Sequence, residues 1–129
     1  MARILIADDY DAARRAIRRL VGEHPGWEVC GEAVDGLGAV RKTTELKPDL
    51  VILDLEMGMI DGLTAAREIS ATTPSLPIVL CTVFATDELE RESQESGVRA
   101  VVNKSEAGTK LVSVMEDLLR REFQGISGA

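Results

Sequence analysis

The chain has 129 residues, of which 45% are apolar, 29% charged and only 3% aromatic, a size that fits one compact domain around one core. Fifteen Lys and Arg against 22 Asp and Glu leave a net charge of -7, which disfavours a broad basic surface for the phosphate backbone of nucleic acid. Two cysteines without CxxC spacing and a single histidine exclude a Cys/His zinc site and argue against a disulfide framework.

In chain order, Arg3 to Ala7 (RILIA) is a short β-rich run, after which Ala13, Ala16, Ile17, Leu20 and Val21 recur at helical spacing. Trp27 to Ala33 (WEVCGEA) alternates as a strand with one wet face does. Gly36 to Leu46 reads as a helix closed before Pro48, and Leu50 to Leu53 is an unbroken apolar run. A helix from about Leu63 to Ala71 follows, then the run Pro77 to Cys81, a polar segment from Thr86 to Ser96 and the run Ala100 to Val102. The last helix presents Leu111, Met115, Leu118 and Leu119 on one face, with Ser105 as its expected N-cap. The domain is expected over residues 1–123, followed by a short polar tail over 124–129, with no room for an effector domain. The apolar runs fall well short of the roughly 18 residues that suggest a membrane span. Met1-Ala2-Arg3 leads straight into strand-like sequence rather than a signal peptide, so a soluble, cytoplasmic protein with no membrane partner is expected.

Five strand-like runs alternating with five helical ones predict a doubly wound α/β fold: a parallel sheet covered by helices on both faces through right-handed crossovers. Ligands in such sheets sit beyond the carboxyl ends of the strands. There the first run ends in Asp8-Asp9, the third in Asp54, the fourth in Thr82 and the fifth in Asn103-Lys104. Three acids gathered closely raise each other's pKa unless a cation neutralises them. Mg²⁺ suits them, because it takes a few carboxylate oxygens and keeps several waters. The same ion neutralises phosphoryl oxygens, while Lys104 offers a point charge and Thr82 a hydrogen-bond donor. The set suits phosphoryl transfer to a carboxylate.

Each residue also has a plainer reading. Acids favour helix N-termini, a lone Thr at a strand end packs, and a lone Lys is usually solvated. Asp54 resists that treatment, because it follows four apolar residues in what should be the central, doubly covered strand, where an unpaired charge is costly.

The segments ILIADDYDAAR, PDLVILDLEMGMIDGL, VLCTVF and GVRAVVNKS together resemble the receiver domains of two-component response regulators, over essentially the whole chain. CGEAVDG and Lys104-Ser105 are similar to the subgroup whose receivers precede a helix-turn-helix DNA-binding domain. The resemblance implies a flavodoxin-like (βα)5 sheet with strand order 2-1-3-4-5. It implies that Asp54 is the phosphoacceptor, taking a phosphoryl group from a histidine kinase or histidine phosphotransferase. By the same resemblance Asp9 ligates Mg²⁺ directly and Asp8 largely through water, with Asp54 and the backbone carbonyl of Glu56 completing the protein ligands. Thr82 would be the switch hydroxyl and Lys104 the salt-bridge partner of the phosphoryl group. The output face would be the fourth helix, fifth strand and fifth helix, through which a homodimer can also form, and transcription is the expected output. This segment itself is not expected to touch nucleic acid.

Four features depart from that pattern. Gly58 stands where the family often has Pro and is expected to loosen its loop. Val101 stands where many members have a rotating Tyr or Phe. Ser105 replaces a Pro in a cis bond and should leave a trans peptide. Finally, Glu56 and Val83 flank the site: Val83 is expected to narrow access for small phosphodonors, and Glu56 to act on the hydrolytic water.

Arg14, Arg15, Arg18 and Arg19 line the polar side of the first helix, as a solvated face or as a dock for an acidic partner. Thr86 to Ser96 has five acids and one large apolar residue, Leu89, so little burial holds it. Cys30 and Cys81 fall on the second and fourth strands, too far apart to pair in the family order. His24 reads as an exposed helix-end residue. Two other functions compete with the signalling switch. One is a Mg²⁺-dependent phosphatase with an aspartate nucleophile, suggested by Asp54-Leu55-Glu56; the other is a receiver-like binding module that is never phosphorylated.

Overall fold

Each short apolar run becomes a strand and each amphipathic segment a helix in the computed structural model, which describes the backbone of residues 1–127 and the side chains of residues 1–121. The order is β1 (Ala2–Ala7), α1 (Asp11–Gly22), β2 (Trp27–Ala33), α2 (Gly36–Leu46), β3 (Leu50–Leu53), α3 (Gly62–Thr72), β4 (Ile78–Thr82), α4 (Asp87–Glu95), β5 (Ala100–Asn103) and α5 (Ala107–Ser127). The strands form one parallel sheet ordered β2-β1-β3-β4-β5, as expected. α5 continues past Gln124, the residue at which the sequence predicts a tail. The side chains of that tail, and all of its last two residues, lie outside the described residues.

Period-two alternation divides the sheet's side chains between two cores. Ile4 and Ile6, Leu50 and Ile52, Val79 and Cys81, and Val102 face α1 and α5, where Ile17, Val21, Leu111 and Met115 close the layer. Leu5, Ala7, Val51, Leu53, Ile78 and Leu80 face the other helices through Ala39, Leu63, Ala66, Ile69 and Leu89. Every residue of β3 and β4 is buried, which is why those runs show no polar alternation. With β2 and β4 three places apart, Cys30 and Cys81 are both free thiols. No helix among the described residues is long and apolar enough to cross a membrane.

Helix starts follow local capping chemistry. Asp35, Asp61 and Thr86 each accept a hydrogen bond from the backbone N–H three residues on, at Gly38, Thr64 and Leu89. The expected cap at Ser105 is corrected by the structure. A 3-10 turn (Lys104–Glu106) precedes α5, and the Asn103 side chain accepts from both the backbone N–H and the hydroxyl of Ser105. A carboxamide two residues earlier can close this Asx-type turn, which leaves Ser105 as donor rather than acceptor. The Lys104–Ser105 peptide is trans. His24 is also not a free surface residue: its ring stacks on Trp27 at a centroid distance of 3.6 Å and its Nδ1 accepts from the Gly26 N–H.

α4 is the most exposed helix among the described residues: seven of its nine residues are exposed and only Leu89 and Ser93 are buried. Acids in its first turn suit the helix dipole, but no basic residue supports its last turn. Hydrogen exchange measured by mass spectrometry is expected to show faster exchange in α4 than in α3, and Thr86→Ala, at a cost of about 1 kcal/mol, is expected to speed α4 further while leaving α3 unchanged. In contrast, Ile52→Ala in the central strand is expected to lower global stability by about 2–5 kcal/mol in urea unfolding.

Candidate functional site

The parallel topology brings the carboxyl ends of β1, β3, β4 and β5 to one edge, and the residues singled out in the sequence meet there. Asp8 and Asp9 follow β1, Asp54 follows β3, Thr82 ends β4 and Lys104 follows β5. A cleft of about 350 Å³ is lined by Asp9, Asp54, Glu56, Thr82 and Lys104, with Tyr10, Val83 and Phe84 at its rim.

Four contacts of the chain fix Asp8 and Asp54 at this edge. The Asp8 N–H donates to the Ala33 carbonyl at 3.1 Å, which extends the β1–β2 pairing one residue past the strand. The Asp8 Oδ1 then accepts from the Tyr10 N–H at 2.9 Å, fixing its side chain. At β3, the Asp54 N–H donates to the Ala7 carbonyl at 2.9 Å. Gly62 opens α3 so close beneath that a Cβ there would lie 2.2 Å from the Asp54 carbonyl oxygen, a contact only glycine allows.

Burial and charge are in tension at this site. Asp8 is 1% exposed and Asp54 7%, yet each keeps an ionisable carboxyl. The Lys104 ammonium lies 2.7 Å from Asp8 Oδ2 and 3.3 Å from Asp54 Oδ1, and among the described residues it is the one cation that ion-pairs with either. Burial, reinforced by the charge of Asp8, raises the Asp54 carboxyl to about 6 despite the opposing pull of Lys104. Burial alone would depress the ammonium; close contact with Asp8 and the charge of Asp54 outweigh it and hold Lys104 above the ordinary lysine value.

Oxygens of Asp8, Asp9 and Asp54 lie within 4.8 Å of one another, three acids against one ammonium. Buried Asp8 Oδ2 has the charge contact with Lys104 but no well-directed hydrogen bond, so part of its accepting capacity is unfilled. A hard-oxygen donor set with excess negative charge and an unfilled buried oxygen fits a divalent cation of the Mg²⁺ type. Glu56 is exposed on the same cleft, and its carboxylate is not part of this cluster.

The departures noted in the sequence have structural counterparts. Val83 and Phe84 are 56% and 78% exposed and stand at the mouth of the cleft. A side chain at Gly58 would meet open space, so nothing there requires glycine, and the left-handed residue of the loop is Met59 with φ 74°. The arginines of α1 are not one surface: Arg14 turns inward, its side chain only 14% exposed, whereas Arg15 is 63% exposed. Sequence periodicity misses this because the partners of Arg14 include Glu32 on β2, eighteen residues away.

The family described as the response regulator receiver domain matches residues 4–116. Response regulator protein VraR of Staphylococcus epidermidis is 33% identical over 97% of this chain, which spans 58% of that protein. A protein-glutamate methylesterase/protein-glutamine glutaminase of Alkalilimnicola ehrlichii is 35% identical over 98% of this chain, which spans only 28% of that protein. Among solved structures, a LuxR-family two-component response regulator from Aurantimonas sp. superposes with a TM-score of 0.89 at 32% identity, covering 93% of this chain and 86% of that one. With the acidic cluster at the strand ends and the match along nearly its whole length, this chain belongs to the response regulator receiver domain family.

Proposed function

We propose that the protein is a phosphorylation-dependent signalling switch in which Asp54 accepts a phosphoryl group from a histidine kinase or histidine phosphotransferase. The observation that carries this reading is the gathering of Asp8, Asp9 and Asp54 within 4.8 Å beside a single ammonium at the strand ends. In the transfer, an Asp54 carboxylate oxygen attacks phosphorus, the bond to the donor imidazole nitrogen breaks, and the imidazole keeps the electron pair. The product on Asp54 is an acyl phosphate. Asp8, Asp9, Asp54 and the Glu56 carbonyl are the residues that would hold Mg²⁺, which when bound supplies positive charge against carboxylate and phosphoryl oxygens. Lys104, already in contact with Asp54, neutralises a phosphoryl oxygen, and Thr82 donates a hydrogen bond to another.

The chain's response would come from redistribution of these contacts. A phosphoryl group on Asp54 competes for Lys104 and draws the Thr82 hydroxyl at the end of β4, the strand that leads through residues 83–86 into the exposed helix α4. The output face would be α4, β5 and α5, with homodimerisation as one route and transcription as the output class. The relatives named as response regulators and the solved LuxR-family neighbour support that output. A cytoplasmic location goes with this reading, because that is where transfer from a kinase would take place. The exposed rim of Tyr10, Val83 and Phe84 favours a macromolecular donor that buries apolar surface over a small one.

Intact mass after incubation with Mg²⁺ and a kinase or acetyl phosphate is expected to show a gain of one phosphoryl group that Asp54→Asn abolishes. Rapid turnover of many phosphomonoesters would instead indicate a phosphatase, and no modification by any donor a binding module. Val83→Ala is expected to raise the rate with acetyl phosphate; an unchanged rate removes Val83 as a gate. Glu56→Asn is expected to alter the acyl-phosphate half-life, and identical decay would contradict a role for its carboxylate.

The raised Asp54 pKa carries a stability cost in the metal-free protein. Between about pH 4 and 6 the folded chain keeps a proton on Asp54 that the unfolded chain has lost, so this group makes stability fall as pH rises through that window. Asp54→Asn is therefore expected to be more stable than wild type at pH 7, by about 3 kcal/mol, and to match it below about pH 4. Urea midpoints in EDTA at the two pH values check this; an Asp54→Asn chain no more stable than wild type at pH 7 contradicts it.

A further inference from the structure

One arginine of α1 braces the backbone of the acidic site. The Asp8 carbonyl lies just past the end of β1, where no strand neighbour is left to satisfy it, and it accepts from Arg14 Nη1 at 2.9 Å. The other nitrogens of the same guanidinium are committed elsewhere: Nη2 donates to Asp11 Oδ1 at 2.8 Å and Nε to Glu32 Oε1 at 3.3 Å. Glu32 is itself held, with Oε2 accepting from Arg18 at 2.7 Å and its carbonyl accepting from Lys42. Glu32 also sits in register with Ile6 of β1. The Asp8 main chain is thus tied to β2 on both sides, by its N–H directly to Ala33 and by its carbonyl through Arg14 to Glu32.

We propose that Arg14 is a positioning residue that sets the Asp8-Asp9 carboxylates for cation binding by clamping the Asp8 carbonyl to Glu32 on β2. The inference rests on the proposed Mg²⁺ site and adds to it a residue that touches neither the ion nor the phosphoryl group. The guanidinium spreads its donors over three separated nitrogens and so spans a carbonyl and two carboxylates at once, whereas a lysine ammonium has the charge but offers all its donors from one atom.

Charge and position predict opposite results. If Arg14 acted only as a nearby positive charge, removing it would leave the pocket more negative and Mg²⁺ would bind more tightly. If it acts by clamping the loop, its removal loosens two ligands and Mg²⁺ binds more weakly. Isothermal titration of Mg²⁺ into the metal-free chain separates these outcomes, with urea midpoints to confirm folding. Arg14→Met is expected to weaken Mg²⁺ about tenfold, the scale on which partners of metal ligands act. Arg14→Lys, which leaves net charge unchanged, is expected to weaken it as well, and it carries the test alone if Arg14→Met does not fold. Arg19→Met, exposed on the same helix and in contact with none of Asp8, Asp11 or Glu32, is the control for net charge and is expected to bind Mg²⁺ no more weakly than wild type. Wild-type affinity in Arg14→Lys, or tighter binding in Arg14→Met, overturns the proposal while leaving the Mg²⁺ site standing. A wild-type chain that binds no Mg²⁺ overturns the proposed site itself.

Discussion

Two carboxylates removed from water at the end of a parallel sheet repel each other, and here a single ammonium holds them together. The Lys104 ammonium lies between Asp8 and Asp54, joining the end of β5 to the ends of β1 and β3. That bridge is incomplete compensation, because Asp9 adds a third acid and the Asp54 carboxyl remains well above the ordinary carboxylate range. A site left short of positive charge has an affinity for cations built into it, and a cationic environment is also what a phosphoryl group needs on arrival.

The fold makes this tension tolerable. β3 and β4 are buried along their whole lengths, so the ends of these strands are fixed by two cores rather than by loop contacts. The charged atoms can be held against repulsion because the backbone beneath them has few alternatives: the Asp54 N–H is paired to Ala7, and Gly62 packs against its carbonyl. The contrast is α4, with seven of nine residues exposed and an acidic first turn, which begins five residues after Thr82. A rigid charged centre beside a lightly held helix is an arrangement in which a local change of charge can shift a population.

Much of this is legible in the sequence, for reasons that differ by residue. Asp54 stands out because it follows four apolar residues, and Asp8-Asp9 and Lys104 gain meaning only once the alternating pattern implies a common sheet edge. The strand order comes from resemblance, not from periodicity. What the sequence obscures are contacts between distant positions. Arg14 looks like one of four equivalent surface arginines until Glu32 and the Asp8 carbonyl are found on its guanidinium. His24 looks like a helix-end residue until its ring is seen stacked on Trp27. Ser105 has the right chemistry for a cap, but Asn103 closes the turn first and makes it a donor.

Chemical trapping of the modified residue tests the central claim most directly. Borohydride reduces an aspartyl phosphate to homoserine, a permanent mark at the residue that carried the phosphoryl group. Protein phosphorylated in the presence of Mg²⁺, reduced and sequenced by tandem mass spectrometry is expected to contain homoserine at the position of Asp54 and at no other aspartate. Homoserine at Asp8 or Asp9, or none at all after efficient exposure to a kinase donor, would contradict the account.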